Sequence, residues 1–257
     1  MFKFPRDLYV DVRIEESFDT TISFKQLILQ SQKVRSTKGA FIRVFDGQRW
    51  YYGSTTNLGQ IQAQIDTLAA LAKPNPKILE HPTVRAFETH QAEVLRYAEN
   101  SVTEVSIQDK QALLEGLLKY MDDEAIVNHS SRYVDHKTVK SFYSSKGSVI
   151  TYDGQTCGIR LGLDIVCGEN KDQLSISKGA IFFTELKNYA DYFSNEIKRS
   201  IDFVKDAEPV VPGDYAILLS PEATGVFTHE SFGHKSESDF MVGDETMRQE
   251  WALGKRV

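Results

Sequence analysis

Residues 8–14 read LYVDVRI, and their alternation decides the fold: Leu8, Val10, Val12 and Ile14 point one way, Tyr9, Asp11 and Arg13 the other. A period of two marks a strand with one apolar face, because successive side chains of extended backbone leave on opposite sides. TTISFKQLIL (20–29) continues in the same manner. GAFIRVFDGQRWYYG (39–53) follows, and its Asp46-Gly47 pair is a strong hairpin signal, since glycine accepts positive φ without strain. The first 55 residues therefore read as an antiparallel meander.

Beyond the meander the period changes. Polar residues 55–57 precede Leu58, Ile61, Ile65, Leu68 and Leu71, a one-face helical spacing that stops at KPNP (73–76). FETHQAEVLRYAEN (87–100) reads as a further helix. Residues 109–121 form another, with Leu113, Leu117 and Met121 on one stripe and Leu114 and Leu118 beside it. Strand-like pieces return in EAIVNHSSRYVD (124–135), TVKSFYSS (138–145), SVITYDG (148–154), CGIRLGLDIVC (157–167) and GAIFFTEL (179–186), separated by Gly, Asn and Asp. These predict a second sheet. Tyr189, Phe193, Ile197, Ile201 and Val204 again have helical spacing, and EPVVPGD (208–214) breaks the pattern.

The fold class expected is therefore α+β, antiparallel or mixed sheets with packed helices. Residues 1–208 form an amino-terminal domain with two sub-parts, about 1–106 and 107–208, and residues 209–257 begin a second domain. In that second part YAILLS (215–220) predicts a short buried strand. PEATGVFTHESFGH (221–234) predicts a helix with Pro221 in its first turn.

Composition narrows the function. The chain has 257 residues, 41% hydrophobic and 26% charged, and no apolar run approaches the roughly 20 residues of a membrane helix. Its 30 basic residues are dispersed among 36 acidic ones for a net charge of −6, whereas phosphate binding needs clustered cations. Nucleic acid and membrane are thus poor partners. MFKFPRDLYVDV lacks a secretory pattern, and Cys157 and Cys167 make no disulfide framework, so the expected location is the cytoplasm. Both cysteines read as packing residues.

HESFGH (229–234) carries the chemistry. Residues five apart on a regular α-helix stand about 140° apart around the axis, too far to share a metal. A π-type turn, with i to i+5 hydrogen bonds, brings such a pair back to nearly one face. The expectation is that His229 and His234 bind one divalent metal across a wide turn, eased by Gly233, and that Glu230 is the base that deprotonates a metal-activated water. Random placement produces a His-Glu-three-His pattern only about 0.01 times per chain, which favours a site over coincidence. His81, His90, His129 and His136 read as core histidines instead. Two histidines fall short of the three protein ligands usual for catalytic zinc. Glu237, Asp239, Asp244 and the two cysteines are the remaining candidates, none at a diagnostic spacing, and Glu237 and Asp239 read equally well as a solvated turn.

The stretch EPVVPGDYAILLSPEATGVFTHESFGHKSESD (208–239) resembles the linker, buried strand and active-site helix of the TldD/PmbA family, metallopeptidases linked to peptide maturation and once called modulators of DNA gyrase. YVDVRIEES (9–17), GAFIRVFDGQRWYYGST (39–55) and the final WALGKRV (251–257) resemble the same family. The resemblance implies His229 and His234 as ligands of a metal, zinc first, and Glu230 as the catalytic glutamate. It implies a TldD-like subunit, pairing with itself or with a PmbA-like subunit around a cavity that admits short or unfolded peptides. The family's Glu-Gly-Asp has Ser238 at its centre here, which puts the role of Glu237 and Asp239 in doubt. A further cysteine ligand belongs to the family's carboxy-terminal half, so this chain resembles the first half of a member, with an incomplete second domain and little activity alone. A non-catalytic module that binds peptides or subunits, by strand addition to a sheet edge, is the alternative.

Overall fold

The computed structural model describes residues 2–252 and 254, so part of the WALGKRV resemblance, Leu253 and residues 255–257, lies outside the described residues. The chain separates into two compact units, residues 1–207 and 208–257.

In the first unit the alternation of residues 8–14 becomes β1 (Tyr9–Lys25), which pairs antiparallel with β2 (Ile28–Phe45). Gly47, at φ 97°, then reverses the chain into β3 (Trp50–Thr55). The later strand-like pieces do not build a second sheet. They fuse into β5 (Ile126–Ser144) and β6 (Val149–Cys167), and β5 pairs with β1 along nearly its whole length. Among the described residues seven strands make one sheet, ordered β3-β2-β1-β5-β6 with β4 (Gln91–Val94) and β7 (Asn170–Ala180) both on the far side of β6. The sheet thus runs through both expected sub-parts of the amino-terminal domain.

One face of this sheet carries the helices Ile61–Leu71, Ile107–Leu118, Phe183–Leu186 and Ala190–Asp206. α1 (Ile61–Leu71) buries Ile61, Ile65 and Leu68 against Val10 and Val12 of β1 and Ile42 and Val44 of β2, while Leu71 stays exposed. The short α2 (Pro82–Ala86) and its neighbours cover Tyr9 and Phe45 on the opposite side, so Asp11 is buried there too and is neutralised by a two-pronged contact from Arg43, Nε to Oδ1 at 3.0 Å and Nη2 to Oδ2 at 2.6 Å. α3 (Ile107–Leu118) contributes Leu114, Leu117 and Leu118. α4 (Phe183–Leu186) and α5 (Ala190–Asp206) add Phe183, Leu186, Phe193, Ile197 and Val204 over the inward residues of β5 and β6, Cys157 among them.

Three local expectations are corrected. Residues 87–100 hold no helix: their apolar positions form no single stripe, and Gln91–Val94 instead pairs in parallel with Val149–Tyr152, which satisfies its backbone. In residues 179–186 the strand ends at Ala180 and Phe183–Leu186 turns helical, because the Glu185 carboxylate accepts the N–H groups of Ile181 and Phe182. Residues 215–220 form no strand, since the described residues of the second unit offer no strand to pair with.

The Asp46 side chain closes the β2–β3 turn. It is buried and accepts N–H from Gln48 and Arg49, both at 2.8 Å, from Lys73 at 3.3 Å, and the Tyr51 hydroxyl at 3.2 Å. Burial alone pushes this carboxyl up, but the backbone donors and Tyr51 outweigh it and hold its pKa below the usual carboxylate value. Asp46→Ala strands those donors and is expected to cost about 1–3 kcal/mol at neutral pH. The folded-state pKa is depressed, so the carboxylate's contribution exists above the unfolded value of about 4 and fades as pH falls through the folded one. Urea unfolding at pH 7 and at successively lower pH checks this, and the gap between variant and parent should narrow with acid.

Candidate metal centre

The second unit builds the HESFGH segment from a capped helix. Ser220 accepts the Ala223 N–H at 3.2 Å as N-cap, Pro221 takes the first position, and α6 (Pro221–Thr228) follows. At its end the helix widens. His229–Gly233 is a π-helical turn in which the His234 N–H bonds to the His229 carbonyl. Side chains brace the distortion, with the Ser231 hydroxyl donating to the Phe227 carbonyl at 2.7 Å and the Ser236 hydroxyl to the Gly233 carbonyl at 2.7 Å. Gly233 has an ordinary helical φ of −56°, so its use here is not conformational freedom.

The π turn has the consequence that the five-residue spacing demands. The His229 and His234 rings lie side by side, centroids 4.3 Å apart at 66°, and the Glu230 carboxylate joins them. One ligand atom from each of His229, Glu230 and His234 falls within 4.8 Å of the others. Zinc bonds to imidazole of about 2.0–2.1 Å place two ligand nitrogens roughly 3.3 Å apart in a tetrahedral shell, a closure within reach of side-chain rotation. Two borderline imidazole nitrogens suit zinc or a neighbouring divalent metal, and the carboxylate beside them suits a base for a metal-activated water, so the residues fit the group.

The two acids differ in their engagement. Glu230 Oε2 stands 3.8 Å from His234 Nε2, beyond hydrogen-bond range. Glu237 is the acid that touches a histidine closely, its Oε1 lying 2.9 Å from His234 Nδ1. Among the described residues Asp239 and Asp244 make no ion pair with either histidine, and Asp244 instead caps the helix Glu245–Glu250. The sequence left Glu237 as one acid among several. A carboxylate three residues after a histidine at a helix end was the available signal.

The remaining histidines form no second cluster of metal-binding groups among the described residues. His129 is the buried one, whereas His81 caps α2, His90 pairs with Glu88 and His136 with Asp19, so three of the four are not core residues. Cys157 packs in the first unit, where burial, then Asp135, pushes its thiol up to about 12. Such a thiol stays protonated and is a poor metal ligand.

Residues 10–73 match the model of the PmbA/TldA metallopeptidase domain 1. A metalloprotease of Methanocaldococcus jannaschii is 26% identical over 257 residues, covering 97% of this chain and 56% of that protein. A zinc metalloprotease TldD homolog of Saccharolobus solfataricus is 31% identical over 121 residues, 45% of this chain and 26% of that protein. The fold recurs in a Thermotoga maritima protein named for modulation of a DNA gyrase, with a TM-score of 0.64 at 11% identity, over 80% of this chain and 46% of that one. This chain spans about half the length of the curated relatives it matches over nearly all of its residues. The seven-stranded sheet, the matched first domain and these relatives agree: the chain is similar to the metallopeptidases of the TldD/PmbA family.

Proposed function

We propose that the chain is a TldD-type subunit of a metal-dependent peptidase acting on short or unfolded peptides. The observation that carries this reading is the π turn that sets the His229 and His234 imidazoles beside the Glu230 carboxylate. His229 and His234 would hold the metal, zinc first among the candidates. When bound, the metal supplies Lewis-acid polarisation of the scissile carbonyl and acidifies a water. Glu230 takes the proton from the attacking water and passes it to the leaving amine, a transfer within the ordinary reach of a carboxylate. Its lack of a hydrogen bond to His234 keeps it available for that work.

The partners in this reading are a peptide and a second subunit, either a copy of the chain or a PmbA-like one, in the cytoplasm. With two imidazoles against the usual three protein ligands, the chain by itself binds zinc weakly and hydrolyses little. The test is a zinc titration against a chromophoric chelator. The parent chain and a His90→Ala control should take up one equivalent, and the pair His229→Ala/His234→Ala should lose it. Equal uptake by all three would refute the site.

A further inference from the structure

We propose that Glu237 is the positioning residue of this centre, accepting the Nδ1–H of His234 and so fixing the tautomer that leaves Nε2 with a free lone pair for the metal. The inference rests on the metal-site reading above, and it separates the two acids of the segment into different tasks.

A neutral imidazole carries one N–H and one lone pair, and the partner of one nitrogen decides what the other can do. At His234 the two nitrogens face different groups. Nδ1 lies 2.9 Å from Glu237 Oε1, a hydrogen-bond distance, while Nε2 on the opposite edge of the ring faces Glu230, 3.8 Å away. A carboxylate accepts and cannot donate, so the contact to Glu237 requires the proton on Nδ1. The ring is therefore turned with its acceptor edge toward Glu230, a member of the set whose ligand atoms converge.

The backbone explains how the carboxylate arrives there. After the π turn the chain tightens into a 3₁₀ turn, His234–Ser236, closed by the Glu237 N–H bonding back to the His234 carbonyl at 3.2 Å. Glu237 itself is extended, with φ −69° and ψ 135°, so its side chain folds back over the imidazole three residues earlier. A carboxylate on the far nitrogen of a ligating histidine fixes its orientation and raises its basicity, and loss of such a partner typically costs 10–100-fold in metal affinity. As a surface ion pair the contact is worth little stability, so retention of the fold on its removal is expected.

The experiment uses the whole chain in two states. In the metal-free protein, long-range ¹⁵N spectra of the His234 ring, assigned by comparison with His234→Asn and taken where the imidazole is neutral, should show the Nδ1–H form. Glu237→Ala should shift the ring to a mixture or to Nε2–H, and Glu237→Gln, whose amide oxygen still accepts, should restore Nδ1–H. In zinc titrations Glu237→Ala should bind about 10–100-fold more weakly, with Glu237→Gln recovering part of the loss. An Nε2–H ring in the parent chain, or a Glu237→Ala ring and affinity both unchanged, overturns the proposal. Because the tautomer is read without metal, a chain that takes up no zinc but keeps the Glu237-dependent Nδ1–H form would refute the metal site and not the orientation.

Discussion

Lys110→Met should lower the stability of the amino-terminal unit by about 3–5 kcal/mol, the cost of leaving a buried charge without its partner. Lys110 extends from α3 with its side chain 2% exposed, and its Nζ lies 2.7 Å from Oδ2 of Asp135, which is fully buried on β5. The ammonium also donates to the Thr20 hydroxyl at 3.0 Å and sits 5.1 Å from the Phe18 ring centre. The Tyr133 hydroxyl donates to the same carboxylate oxygen at 2.7 Å. Burial first, then Asp135, raises the Tyr133 pKa, so that hydroxyl stays a donor throughout the physiological range. Methionine fills the lysine's volume without its charge and leaves Asp135 held only by Tyr133, its Oδ1 already lacking a partner among the described residues. At about 2–4 °C per kcal/mol for a unit of this size, the melting temperature should fall by roughly 6–20 °C. Lys110→Met/Asp135→Asn should recover most of the loss, because a neutral amide still accepts from Tyr133 and needs no counter-charge. Urea unfolding of the three proteins decides it. A single variant as stable as the parent would show that the pair does not hold α3 to the sheet.

Lys110 also shows where sequence reading stops. The apolar periodicities that place α1, α3 and α5 are visible residue by residue, because Ile61, Ile65 and Leu68, or Phe193, Ile197 and Val204, must face one way to leave water. A lysine on the buried face of α3 has no such signature, since its partner on β5 is 25 residues away and meets it only through the sheet. Long strands were misread for a related reason. Gly154 looks like the end of one strand-like piece, yet it lies inside β6 together with Gly158 and Gly162. A Cβ at Gly162 would come 2.8 Å from the Ser130 hydroxyl, and one at Gly158 3.1 Å from the Lys178 carbonyl, so these glycines admit neighbouring strands instead of turning the chain. The Gln26–Leu27 turn escaped notice because Gln26, at φ 54°, carries none of the usual turn chemistry. At the candidate site the arithmetic of a five-residue spacing was enough to require a π turn at His229–Gly233. The contact from Glu237 depends on the tight turn that follows, which no periodicity announces.

Glu230→Gln should lower peptide hydrolysis by roughly 10²–10⁴-fold, the range for a positioned general base, or about 3–5 kcal/mol of barrier. The amide matches the carboxylate in shape and cannot accept the proton. Glu230 is 65% exposed and stands clear of hydrogen-bond range from His234 Nε2, so the substitution removes proton-transfer capacity without unpinning a ligand. Zinc affinity should therefore stay close to that of the parent, which distinguishes this variant from both the histidine and the Glu237 changes. Added zinc should restore activity to Glu237→Ala, whose defect is occupancy, and should do nothing for Glu230→Gln, whose defect is chemistry. The assay is cleavage of a fluorescence-quenched peptide by the protein in whichever pairing turns over, with itself or with a PmbA-like subunit, alongside the zinc titration. A Glu230→Gln protein that cleaves within about twofold of the parent rate, too small a loss for a general base, would remove Glu230 from the chemistry. The sheet and its edges would then be better understood as a surface that holds peptides or subunits.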